Sequence, residues 1–280
     1  MKLLVVGDFH GKFPKKLLKV IKKEKIDALI SNGDYSPFYY RDIWFKHCYG
    51  KDLELWQVLG KKIVKEYLLK DLAAGERVFK TLNKLSIPVI TVLGNLDRGK
   101  YDDAIDRKPE KWPWYVQDFF TPLLKKYPKV KCIDYSFTHL GNFVIIGGGP
   151  SSFPGKVNSK MYKKLRRILD KLFRKFRKEN KDGRVIFLSH NVPYNTKLDK
   201  ITSKKAHAKA KGKHYGSKLV RRIIDKYQPV LAIGGHIHEG SGMQKLRKTF
   251  VVNPGAVHEG HYAIVKINEN NPKKIKVKFR

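Results

Sequence analysis

Cysteine is almost missing: Cys48 and Cys132 are the two in a chain of 280 residues. That count excludes a disulfide framework, and one pair at that separation is no zinc motif. It favours a reducing compartment. Long apolar runs are missing as well. The opening Met-Lys-Leu-Leu-Val-Val-Gly-Asp is too short for a secretory signal. No stretch approaches the roughly 18 apolar residues of a membrane span. A cytoplasmic protein without a membrane partner is therefore expected. Acidic residues are scarce, 25 Asp and Glu against 60 Lys and Arg, for a net charge of +35. An excess this one-sided attracts anions such as nucleic acid, nucleotides or phosphorylated metabolites. The competing account is a Lys-rich proteome of the hyperthermophile kind. Clean linkers and internal repeats are also absent, so residues 1–280 are expected to form one domain.

What is present alternates between two periods. Residues 3–6 form an apolar run ending at Gly7, the pattern of a strand buried on both faces. Pro14 then opens a helix whose Leu17, Leu18 and Ile21 mark an apolar face. Further strands are predicted at 26–30, 87–93, 130–133, 143–146, 185–188 and 230–233, with closing strands at 250–252, 262–267 and 275–279. Helices are predicted within 53–85, over 159–178 (Met161, Leu165, Ile168, Leu169, Leu172 and Phe176 inward) and over Lys218–Tyr227. This alternation is α/β. Residues 36–74 and 100–126, with their aromatic residues, interrupt it and are expected to be insertions forming a cap or rim. In open α/β sheets ligands bind beyond the carboxyl ends of strands.

Ligand-type side chains gather at those ends. Asp8-Phe9-His10 follows the first strand, where extended backbone would point both side chains the same way. Gly33-Asp34 follows the second strand, and Gly94-Asn95-Leu96-Asp97 the third. His190 closes a later one, and Gly235-His236-Ile237-His238 repeats the two-residue spacing. Each cluster alone reads as a turn or cap. Together they form a mixed nitrogen and oxygen set suited to divalent Mn, Fe, Zn, Co or Ni. Two such ions about 3.5–4 Å apart would clamp a phosphoryl group and lower the pKa of a water.

In order and residue type, Asp8-Phe9-His10, Gly33-Asp34, Gly94-Asn95, His190 and Gly235-His236-Ile237-His238 resemble the five signature motifs of the calcineurin-like metallophosphoesterase superfamily. Residues 192–199, His214-Tyr215-Gly216-Ser217-Lys218 and Val252-Asn253-Pro254-Gly255-Ala256 are similar to a branch of archaeal and bacterial phosphoesterases related to cyclic-nucleotide phosphodiesterases. The resemblance implies a four-layer α/β/β/α sandwich of two mixed sheets. It implies a first metal on Asp8, His10, Asp34 and His238. A second would lie on Asp34, Asn95, His190 and His236, with Asp34 bridging. Catalytic roles fall on Asp34 and Asn95, and His214 is expected to reach the substrate. Many members carry histidine where this chain has Leu96, which puts general-acid assistance in doubt. The expected activity is hydrolysis of phosphoric esters, with phosphodiesters of nucleotide or nucleic-acid type favoured. The alternative is a catalytically lapsed protein binding metal and nucleic acid. His258 and His261 are expected to line the pocket or cap a turn. The Lys-rich stretch 200–213 is read either as a steering element or as a solvated loop.

Overall fold

The computed structural model describes residues 1–51, 53–101, 112–151, 154–204 and 206–280. Twelve strands form two six-stranded sheets. The first contains β1 (Lys2–Val6), β2 (Ala28–Ser31), β3 (Val89–Thr91), β4 (Val130–Cys132), β11 (Ala263–Ile267) and β12 (Ile275–Phe279), in the order β12-β11-β1-β2-β3-β4. The second contains β5 (Phe137–Leu140), β6 (Phe143–Gly147), β7 (Val185–Asn191), β8 (Leu231–Gly235), β9 (Gly242–Leu246) and β10 (Thr249–Asn253), in the order β5-β6-β7-β8-β10-β9. Both sheets are mixed. β1 runs parallel to β2 and antiparallel to β11, while β6, β7, β8 and β10 run parallel.

Period-2 alternation builds the layers. On β1, Leu3 and Val5 face the second sheet and meet Ile145, Ile186, Leu188 and Ile233. Leu4 and Val6 face outward, onto Leu17 of α1 (Lys16–Glu24) and Val78, Phe79 and Leu82 of α4 (Lys61–Leu82). Opposite, the outer face of the second sheet packs on α6 (Lys160–Lys175) and α8 (Lys218–Tyr227), through Leu165, Leu169, Phe173, Ile223 and Ile224. Helices cover both outer faces of the two sheets, as the resemblance implied. Leu18 departs from its expected place and is 45% exposed. The helix begins at Lys16, and Leu17 with Val20 and Ile21 faces the core instead.

The two interruptions hold α2 (Arg41–His47), α3 (Leu55–Leu59) and α5 (Phe120–Leu124). Their aromatic side chains pack on each other: Trp56 on Trp112 at 6.2 Å and Trp112 on Trp114 at 5.3 Å. With Tyr40, Cys48, Leu55, Val64, Leu68 and Tyr115 they form a separate small core. Part of both interruptions, residues 52 and 102–111, lies outside the described residues. A short helix, α7 (Arg177–Lys181), completes the set.

Candidate metal centre

The seven candidate ligands follow or end β1, β2, β3, β7 and β8. Those strands run parallel within each sheet, so their carboxyl ends open on one side. The expectation that Asp8 and His10 share a direction because of extended backbone is corrected by the structure. Asp8 has φ 54 and His10 φ 43, with Phe9 fully buried between them. Asp34 (φ 55) and His236 (φ 71) are also left-handed. Such conformations cost roughly 1–2 kcal/mol per residue and persist only where surrounding bonds impose them. Here Asp8 N–H donates to Gly33 O at 2.8 Å and His10 N–H to Asp34 O at 3.1 Å. The glycines beside the ligands leave room for this packing. A Cβ on Gly94 would come within 2.1 Å of Asp34 Oδ1, and one on Gly235 within 2.9 Å of Asp8 Oδ2.

Two groups result. In the buried one, His190 Nε2 lies 2.7 Å from Asn95 Oδ1, 3.3 Å from His236 Nδ1 and 3.7 Å from Asp34 Oδ2. In the more open one, His238 Nε2 lies 3.4 Å from His10 Nε2 and 3.5 Å from Asp8 Oδ1. Within Asp8–His10–His238, and within Asp34–His190–His236, the ligand-type atoms all lie within 4.8 Å of one another. His190 Nδ1 is 2.7 Å from Asn32 O, and His10 Nδ1 is 3.0 Å from Ser36 O. A carbonyl can only accept, so each Nδ1 carries the proton and each Nε2 presents its lone pair to the centre. Burial pushes the His190 pKa down and that of His10 down to about 4, which keeps both imidazoles neutral. His238 goes the other way. Burial opposes its charge, but the Asp8 carboxylate and then Glu259 outweigh it and raise it to about 9.

Divalent cations fit this donor set. Asp8 is 1% exposed, and its Oδ1 accepts no hydrogen bond. An orphaned buried carboxylate oxygen is expensive unless a cation completes it. Its pKa is nevertheless lowered, because the hydrogen bond and then the charge of His238 override burial.

Several supporting residues carried no signal in the sequence or only part of one. Asn32 and Ser36 act through backbone carbonyls. Asp97, fully buried, accepts from Tyr35 N–H (2.8 Å), Ser36 N–H (3.1 Å) and Gly94 N–H (2.9 Å), so it ties the loop after β2 to the loop after β3. Burial, then the charge of Asp34, push its carboxyl up to about 7. Leu96 N–H donates to Asp34 Oδ1 at 2.9 Å. His258 stands against both histidines of the open group, its ring 4.6 Å from that of His10 and 5.4 Å from that of His238. Glu259 Oε1 is 3.5 Å from His238 Nδ1. His214 has an anchor of its own. Its Nδ1 lies 2.7 Å from Oδ1 of the fully buried Asp199, and among the described residues no hydrogen bond or ion pair joins it to the seven. The 200–213 stretch is anchored at both ends. Ile201 N–H donates to Lys213 O, and Glu239, beside His238, accepts from Thr202 and Ser203 N–H. Lys205 lies outside the described residues.

One family, described as metallophosphoesterase of the calcineurin superfamily, matches residues 1–278. The chain belongs to that family. Its activity is hydrolysis of phosphoric esters, and the family's chemistry is metal-dependent. Among relatives of this metallophosphoesterase, uncharacterized protein MJ1162 of Methanocaldococcus jannaschii is 25% identical over 260 residues, covering 91% of this chain and 88% of that protein. A solved structure that is 23% identical superposes with a TM-score of 0.66, covering 99% of this chain and 98% of its own. TT1561 of Thermus thermophilus, 17% identical, gives 0.54 with 99% and 97% coverage. Both structures share the metallophosphoesterase fold with this chain. No helix among the described residues is long and apolar enough to cross a membrane.

Proposed function

We propose that this metallophosphoesterase hydrolyses phosphodiesters of nucleotide or nucleic-acid type at a centre of two divalent ions. The observation that carries this reading is two groups of ligand-type atoms, Asp8–His10–His238 and Asp34–His190–His236, with a buried Asp8 oxygen that accepts no hydrogen bond. Asp8, His10, Asp34 and His238 would hold one ion, and Asp34, Asn95, His190 and His236 the other. Bound there, the ions would supply charge stabilisation on the phosphoryl oxygens and an activated water. The chain's own part is to aim and hold. Asn32 and Ser36 fix the tautomers of His190 and His10, and Asp97 sets the spacing between the Asp34 and Asn95 loops.

Diester preference rests on Leu96, the residue after Asn95. Leucine donates no proton to a departing alkoxide, and a general acid typically contributes about 10²–10⁴-fold. An apolar side chain also suits a diester's single charge better than a monoester's two. The lapsed-enzyme alternative rests on the same residue. The test strips the protein with a chelator, restores Mn²⁺, and compares aryl and alkyl diesters and monoesters for wild type and Leu96→His. Metal-restored turnover is expected, fastest on aryl diesters, with a leaving-group dependence that flattens in the variant. Bound metal without turnover on any ester would establish the alternative, and equal shallow slopes in both proteins would remove Leu96 from the account.

A further inference from the structure

The charge excess is not spread evenly. Residues 160–184 carry twelve Lys or Arg and three Asp or Glu, whereas 61–82, the other long helix, carries six and three. Every exposed residue of α6 is Lys or Arg. Lys163, Arg167, Lys171 and Arg174 follow one another at spacings of four, four and three, which keeps them on one face of the helix. None of the four is in an ion pair or over an aromatic ring among the described residues. From Lys163 to Arg174 the stripe climbs eleven residues at about 1.5 Å each, or about 16 Å.

From these positions we infer that the exposed face of α6 is a track for the phosphate backbone of double-stranded nucleic acid. The length matches about five base pairs at 3.4 Å each, with a phosphate charge every 1.7 Å or so of duplex axis. A basic amphipathic helix also suits a membrane surface, but that requires a free apolar face. Here Tyr162, Leu165, Leu169 and Phe173 are buried in the core. Single strands are usually gripped by aromatic side chains that stack on bases, and the exposed face of α6 offers none. The track also leads to the centre. In the β6–α6–β7 crossover the helix starts at the end where the parallel strands finish. There Ser151 O accepts from Asn191 Nδ2 at 3.2 Å, one residue beyond His190, and Pro154 O accepts from Lys218 N–H at 2.9 Å. Duplex binding on this face stands apart from hydrolysis and does not depend on it.

The test is fluorescence anisotropy with a labelled duplex of about 20 base pairs, in chelator so that nothing is cleaved, across a salt series. Three proteins are compared. They are wild type, the α6 variant Lys163→Gln, Arg167→Gln, Lys171→Gln and Arg174→Gln, and an α4 variant with Lys62→Gln, Lys70→Gln, Arg77→Gln and Lys80→Gln. The expected result is at least a tenfold loss of affinity in the α6 variant, with a salt slope shallower by about 3–4, and under threefold change in the α4 variant. All eight positions are exposed, and circular dichroism checks that each variant folds. Equal losses in both variants would reduce the effect to overall charge and overturn the inference. So would tighter binding of the matching single strand, or displacement of the duplex by phosphatidylserine vesicles.

Discussion

Asp34 and His190 lie buried beside the half-buried Asn95 and His236, whereas the buried Asp8 meets the half-buried His10 and His238, against which His258 and Glu259 stand. The His190 side chain is fully buried and that of His238 is 28% exposed. The donors are alike, but their surroundings set opposite proton affinities. A carbonyl, Asn32 O, backs His190, and burial keeps the ring neutral. A carboxylate, Glu259, stands behind His238, and together with Asp8 it draws a proton onto the ring. Environment rather than ligand type therefore decides how readily each half takes a cation. On this account the buried half is ready at neutral pH, and the open half must first release a proton.

Removing what the halves share should have the largest effect. Asp97→Ala leaves three backbone N–H groups without an acceptor, at about 1–3 kcal/mol for each that stays buried. It also frees the Asp34 and Asn95 loops from each other. A fall in kcat of about 100-fold or more is expected, with both ions bound more weakly, because contacts behind metal ligands control how those ligands are aimed. Loss confined to one half would show that the loops are spaced by something else.

Next comes pH. A histidine raised to about 9 is protonated at pH 7, and ligation needs it neutral. Affinity of the open half should therefore rise about tenfold per pH unit from 7 to 9 and level off above. The buried half, whose His190 pKa is lowered, should stay flat over that window. Two-step calorimetric titration at pH 7, 8 and 9 reads this, and parallel pH slopes for both steps would erase the distinction. Smallest is Glu259→Ala, which removes one of the charges holding the His238 proton as well as the carboxylate behind Nδ1. Glu259 is 47% exposed, so the weakening at high pH should stay near the low end of the 10–100-fold range for such partners. The pH slope should become shallower at the same time. An unchanged first and second step would take Glu259 out of the explanation.

The ligand side chains were legible because each ends an apolar run that can only be a buried strand. Strand β1 declared itself by a continuous apolar run, and α6 by the helical spacing of Leu165, Ile168, Leu169 and Leu172. Strands β5 and β9 did not, since Phe-Thr-His-Leu and Gly-Met-Gln-Lys-Leu are half-exposed edges without a continuous apolar run. The left-handed turns at Asp8, His10, Asp34 and His236 were also invisible, because tertiary hydrogen bonds impose them against residue preference. Orientation by Asn32 and Ser36 uses carbonyls that every residue has. The partner of His214, Asp199, was not legible either, since the two meet only through the folded loop fifteen positions apart. The aromatic residues of the interruptions pack on one another, a partnership that no period in the sequence displays.

Metal content of the purified chain beside Asp34→Ala tests the two-ion centre most directly. After chelation and dialysis against excess Mn²⁺, the account predicts two ions per wild-type chain. For the variant it predicts at most one, weakly held, with an unchanged circular dichroism spectrum and no esterase activity. Two tightly bound ions and full turnover in the Asp34→Ala protein would contradict it.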